Sequence, residues 1–253
     1  MKFRPCIDLH DGKVKQIVGS SIGGNLVENF VSTKSPEWYA DFFRKDGFSG
    51  GHIIMLGKGN EKAALSALAT WPMGFHIGGG ISPENSKRFL DAGASHVIVT
   101  SYVFVDGKFD LERLKEISQF VGKSRLVIDI SCALKDDDRY FVKTDKWTKW
   151  TDFEVNKENV RILSDYCSEI LVHAISVEGK QSGIDSGLLR LLSEVVDIPV
   201  TYAGGISSIE EIQEVKTVGK DKIDFTIGSA LDIFGGKMCY DEIVTLLKNQ
   251  KEG

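Results

Sequence analysis

Eight short apolar runs, each followed by an amphipathic stretch, set the tightest limit on what this chain can fold into. The runs are Phe3–Leu9, Gly51–Leu56, Gly74–Ile77, His96–Thr100, Arg125–Ile130, Glu169–Ala174, Pro199–Ala203 and Ile223–Ile227. Several are rich in Val and Ile and lack strict alternation, the pattern of parallel strands buried on both faces. Helix-start signals sit between them. Ser35 precedes Pro36, Ser82 precedes Pro83, and Ser207 or Ser208 precedes Ile209-Glu-Glu-Ile. Repeated βα units predict a parallel sheet with helices outside, and eight units favour a closed (βα)8 barrel, spanning residues 1–253 as one domain. A large Rossmann-like sheet is the alternative, but no G-x-G-x-x-G follows the first run. One connection, residues 132–155, is long for a compact domain and therefore a candidate functional loop. It carries Asp136-Asp137-Asp138, which reads as a solvated tip, then Trp147 and Trp150.

The two halves of the chain repeat each other. Arg4-Pro-Cys-Ile-Asp8 is matched by Arg125-Leu-Val-Ile-Asp129, an offset of 129 − 8 = 121. Gly79-Gly80-Ile81-Ser82 is matched by Gly204-Gly205-Ile206-Ser207, an offset of 207 − 82 = 125. Thr100-Ser101 ends the fourth run, and Gly228-Ser229 ends the eighth. Two similar half-barrels would place these features opposite one another across a pseudo-two-fold axis.

The repeated turns suit phosphate. A strand entering Gly-Gly-Ile-Ser and then a helix leaves several N–H groups converging on one spot, and the helix N-terminus adds partial positive charge. Barrel enzymes commonly seat a phosphate beside the turns after strands 7 and 8, where Gly204, Gly205, Gly228 and Ser229 fall. By the repeat, Gly79, Gly80, Thr100 and Ser101 make a second cradle. Two cradles across one mouth imply an elongated ligand with a phosphate at each end. Asp8 and Asp129, closing opposed apolar strands, would face its middle, and two carboxylates can divide acid and base roles if their surroundings separate their pKa values. His173 ends the sixth run and can face a substrate. Glu178, in the following loop, is a third candidate acid, although its position equally suits a solvated loop residue.

Composition removes other classes. Net charge is −5, with no basic stripe of the kind nucleic acid demands. No apolar run approaches the roughly 20 residues of a membrane span, and the first residues carry no signal-peptide pattern. Cysteines 6, 132, 167 and 239 form no C-x-x-C pair and read as reduced thiols of a cytoplasmic protein. The five histidines show no metal-binding spacing, so no metal is expected. His52 and His96, at strand starts on the opposite rim, read as packing or surface residues. Barrel closure makes a monomer the default.

Together, Pro5-Cys-Ile-Asp8-Leu-His-Asp-Gly12-Lys-Val, Gly78-Gly-Gly-Ile-Ser82, Val127-Ile-Asp129, Gly183, Ala203-Gly-Gly-Ile-Ser207 and Ile227-Gly-Ser-Ala230 resemble the histidine-biosynthetic barrels, and among these the ProFAR isomerases. The resemblance runs over essentially the whole chain. It implies a duplicated half-barrel that binds a bisphosphorylated substrate, uses neither metal nor cofactor, and converts an aminoaldose to an aminoketose by an Amadori rearrangement. It implies Asp8 as base and Asp129 as proton donor. Glu178 stands where many bacterial members place an Asp also proposed as the acid. Trp147 aligns with a loop tryptophan expected to stack on the imidazole-carboxamide. The chain departs from bacterial members at His52-Ile-Ile-Met55-Leu-Gly57-Lys58, at His173-Ala174, at Glu178-Gly179 and around Lys15 and Gln16, changes that resemble the eukaryotic branch. Two other readings remain: the cyclase subunit of imidazole glycerol phosphate synthase, and a non-catalytic sugar-bisphosphate-binding barrel. Activity on phosphoribosyl anthranilate is a further option that loop residues leave open.

Overall fold

Branched apolar residues and glycine-terminated turns produce the expected strands, and the order of those strands closes a cylinder. The structure is a computed structural model that describes residues 1–18, 27–135, 138–145, 147–178 and 183–252. The chain begins with β1 (Cys6–His10), β2 (Lys13–Val18), β3 (Val27–Val31), α1 (Pro36–Asp46), β4 (Gly51–Met55) and α2 (Glu61–Thr70). It continues through β5 (Phe75–Gly78), α3 (Pro83–Asp91), β6 (His96–Val99), β7 (Phe104–Val105), β8 (Lys108–Phe109) and α4 (Leu111–Val121). The second half comprises β9 (Leu126–Lys135), β10 (Arg139–Thr144), β11 (Lys149–Glu154), α5 (Lys157–Tyr166), β12 (Glu169–Ala174) and α6 (Ser186–Val195). It ends with β13 (Val200–Ala203), α7 (Ile209–Val218), β14 (Ile223–Thr226) and α8 (Tyr240–Glu252).

Parallel pairing runs β1-β4-β5-β6-β9-β12-β13-β14. Phe3 bridges Phe225 in parallel, with Arg4 N–H donating to Phe225 O (2.8 Å) and Phe225 N–H to Lys2 O (3.0 Å). These bonds close the (βα)8 barrel. All eight apolar runs coincide with its staves. Ser35 caps α1 through its side chain, Ser82 and Asn85 form a capping box on α3, and Ser208 rather than Ser207 caps α7.

The structure adds hairpins where loops were expected. β1 turns through Asp11-Gly12 into β2, and both turn residues have positive φ (51° and 73°). Asp106-Gly107 joins β7 to β8 in the same way (50° and 78°). Asp-Gly is the residue pair for a two-residue type I′ turn. The long 132–155 connection is not an irregular loop. β9 runs on past the barrel rim to Lys135 and pairs with β10, which pairs with β11. Asp136 and Asp137 of the acidic triplet lie outside the described residues. The half-barrel repeat therefore extends further than the sequence motifs: in each half the first stave continues into an antiparallel hairpin.

Residues two apart on a strand share a face, and this stacks the barrel interior in layers. The middle layer is apolar, built from Ile54, Ile98, Val127, Leu171 and Ala203. Two residues earlier on each stave comes a polar floor. His52, His76 and His96 lie side by side there, with ring centroids 5.7 and 4.3 Å apart. Arg4 donates to Asp224 (2.9 Å) and lies 3.7 Å from Glu169, which accepts from Thr201 (2.9 Å). Two residues later on the staves comes the mouth.

Candidate active site

The mouth inherits its residues from the same register. Asp8 is two positions beyond Cys6, Asp129 two beyond Val127 and His173 two beyond Leu171. Among the described residues, one cavity at this end is lined by Asp8, Gln16, His173, Glu178, Gly204, Gly205, Gly228 and Ser229, with Cys6, Ile54 and Leu171 toward the barrel centre. Asp129 stands just behind it. Its Oδ1 lies 2.9 Å from His173 Nδ1, and its Oδ2 accepts from Thr100 Oγ1 at 3.0 Å. Gln16 Nε2 donates to Asp8 Oδ2 at 3.4 Å. Glu178 Oε2 is buried and has no hydrogen-bond partner among the described residues.

Burial and crowding set the protonation states. Desolvation, then the Glu178 charge, raises Asp8, while His173 and Gln16 pull it down; the balance is a pKa of about 7. Burial likewise raises Glu178, against the opposing His173 charge. For His173 burial acts downward, yet the charge and hydrogen bond of Asp129, followed by Glu178 and Asp8, outweigh it and lift the imidazole to about 9. An ionisable base near neutrality thus sits beside a cationic imidazole, the separation that acid–base chemistry requires.

The glycine turns of the two halves share positive φ at both glycines. Gly79 and Gly80 have φ of 95° and 69°, and Gly204 and Gly205 have 135° and 75°. A Cβ on Gly205 would fall 1.8 Å from Gly183 O, and one on Gly79 would fall 2.1 Å from Met55 O. Only glycine fits either turn. Gly204, Gly205, Gly228 and Ser229 line the cavity directly. Gly79, Gly80, Thr100 and Ser101 lie at the same end of the barrel, in the turns that follow β5 and β6, outside the described lining. Gly183 backs Gly205. Trp147 occupies the β10–β11 turn with φ of 66° and does not line the cavity as it stands. Tyr140 of that hairpin donates to Asp185, the N-cap of α6, at 2.6 Å and fastens the hairpin beside the mouth.

Sequence reasoning did not assign Gln16 to the site. The Asp11-Gly12 pair was the available signal, because a two-residue hairpin folds β2 back along β1 and brings Gln16 beside Asp8. On the floor, His52 and His76 join Glu169 with donor atoms within 4.8 Å of one another, a grouping that linear spacing concealed. Burial holds His52 at about 3 and lowers His76. His52 and His76 are buried inside the barrel, so the packing reading of His52 holds and the surface one does not.

Fold and mouth together define a (βα)8 barrel with a cluster of ionisable side chains at the C-terminal ends of its staves, the end where barrels of this class carry their chemistry. The chain belongs to the family described as Histidine biosynthesis protein, whose model matches residues 2–238. It is 46% identical over 260 residues to a chloroplastic Medicago truncatula protein, covering 99% of this chain and 83% of that one. The relative is named 1-(5-phosphoribosyl)-5-((5-phosphoribosylamino)methylideneamino)imidazole-4-carboxamide isomerase, or ProFAR isomerase. Proteins of the same name from Neurospora crassa and Saccharomyces cerevisiae are 49% identical over 241 residues (93% and 94% covered) and 41% identical over 246 residues (94% of each). Among the described residues no helix is long and apolar enough to cross a membrane.

Proposed function

We infer that this chain converts the aminoaldose ProFAR to the aminoketose PRFAR by an Amadori rearrangement in histidine biosynthesis. The observation that carries the reading is the meeting of Asp8 with the His173–Asp129 pair and Glu178 at one barrel mouth, in a chain so similar to proteins named for that isomerisation. Asp8 is the base that removes the C2 proton of the opened sugar. An acid from the facing group, for which Asp129 and Glu178 are the carboxylate candidates, opens the ribose ring. Gly204, Gly205, Gly228 and Ser229 bind one phosphate, with Gly183 supporting the turn. Gly79, Gly80, Thr100 and Ser101 bind the other. His173 contacts the sugar between them. Trp147, on its hairpin, stacks on the imidazole-carboxamide, a flat partner for an aromatic face.

The ligand is a small bisphosphorylated metabolite, and the protein acts as a cytoplasmic monomer, since barrel closure leaves no stave edge that requires a partner. Incubation with ProFAR alone, without glutamine or ammonia, is the test. The isomerase forms the ketose. The cyclase of imidazole glycerol phosphate synthase leaves ProFAR unchanged, and so does a barrel that only binds. Phosphoribosyl anthranilate in a parallel assay measures any second isomerisation.

A further inference from the structure

Both oxygens of Asp129 already hold a side-chain partner. Thr100 occupies Oδ2 and His173 occupies Oδ1, and Asp129 does not line the cavity. His173 does line it. Its Nδ1 is committed to Asp129, and among the described residues its Nε2 makes no hydrogen bond, while the side chain remains 21% exposed at the mouth. Glu178 also lines the cavity, with Oε2 buried near Gly204, and is the rival donor that the Glu178→Gln arm below tests. We propose that His173 Nε2 delivers the proton that opens the ribose ring, with Asp129 and Thr100 as positioning residues that hold the imidazole through Nδ1. The proposal rests on the isomerase reading above and changes its acid.

The step balances. The Nε2 proton passes to the ring oxygen, the C1–O bond breaks, and the nitrogen lone pair at C1 forms a protonated imine. Asp8 takes the C2 proton, the C2–H electrons form C1=C2, and the imine electrons return to nitrogen. The enol O–H then returns a proton to His173 and becomes the ketone, while Asp8 returns its proton to C1. A carboxylate that holds one imidazole nitrogen fixes the tautomer and orientation of the other. The charge supports this role, because an imidazole lifted to about 9 carries its proton at neutral pH. The titratable groups facing it are Asp129 from β9, Glu178 from the turn after β12, Asp8 from β1 and, lower in the barrel, His52 from β4.

The experiment follows kcat and KM for ProFAR across pH in the wild type and in His173→Asn, Asp129→Asn and Glu178→Gln, with the wild-type imidazole charge read by nitrogen NMR. An active wild type should lose kcat as pH rises through about 9. His173→Asn should lower kcat by about 10²–10⁴-fold, hold KM within about threefold, and lack that alkaline fall. Asp129→Asn should keep the fall but move it to lower pH, because the imidazolium has lost its carboxylate. Glu178→Gln should keep it. The proposal is overturned alone if His173→Asn stays within about tenfold of wild type, if Glu178→Gln or Asp129→Asn abolishes the alkaline fall while His173→Asn retains it, or if the wild-type imidazole is neutral at pH 7. A wild type inert toward ProFAR overturns the isomerase reading and this proposal with it.

Discussion

Gln16 donates to Asp8 across 3.4 Å, from a strand that leaves β1 and folds straight back along it. That bond favours the ionised carboxylate, against burial and the Glu178 charge. Gln16→Leu removes the donor and keeps most of the bulk. Asp8 should then hold its proton to higher pH, and the acid limb of kcat/KM should move up by about half a pH unit, the size of one modest hydrogen bond. No movement, or a downward one, would detach Gln16 from the base.

The wild-type acid limb should itself lie near pH 7. Asp8 is raised to about 7, so the base is protonated and idle below that pH and ionised above it. Activity should therefore climb tenfold per pH unit up to the limb. Asp8→Asn should cost at least about 10²–10⁴ in kcat and erase the limb. A limb near pH 4 in the wild type would mean that the carboxylate is not desolvated as described.

Gly205→Asp tests the phosphate turn. Its φ is +75°, and any Cβ meets Gly183 O, so the turn must shift, and the new carboxylate repels the anion. KM for ProFAR should rise by about tenfold or more, with inhibition by inorganic phosphate weakened in parallel; a loss of 1.4 kcal/mol already suffices for tenfold. An unaltered KM in a folded variant would remove Gly205 from the cradle.

The floor should govern stability rather than chemistry. Arg4 serves Asp224 and Glu169 from inside the barrel, with side chains 12%, 14% and 7% exposed. Arg4→Met leaves two buried carboxylates without their cation and should cost about 3 kcal/mol in urea unfolding. Adding Asp224→Asn should recover part of that loss. A cost under about 0.5 kcal/mol would place the pair among weak surface bridges.

The site was legible in part. Asp8, Asp129 and His173 were visible as polar residues at the ends of apolar runs and Glu178 as an acid in the following loop, and the structure groups them. What linear reading could not supply was their pairing. Asp129 and His173 are 44 positions apart and meet because β9 and β12 are neighbours, with Leu171 opposite Asp129 in the ladder. Thr100 reads as a cradle residue from the repeat, yet its hydroxyl is turned to Asp129, since β6 is the other neighbour of β9.

Local rules determined the staves, the helix caps and the glycine turns, because a period of two, a Ser-Pro start or a positive φ acts over a few residues and leaves its mark in them. Closure of the cylinder decided the rest. It joined Arg4 to Asp224 across 220 positions, stacked His52, His76 and His96 into one floor, and turned Asp129 toward a histidine rather than the open mouth. Which side chains share a barrel layer depends on strand order and stagger, and those are settled by packing the whole chain at once.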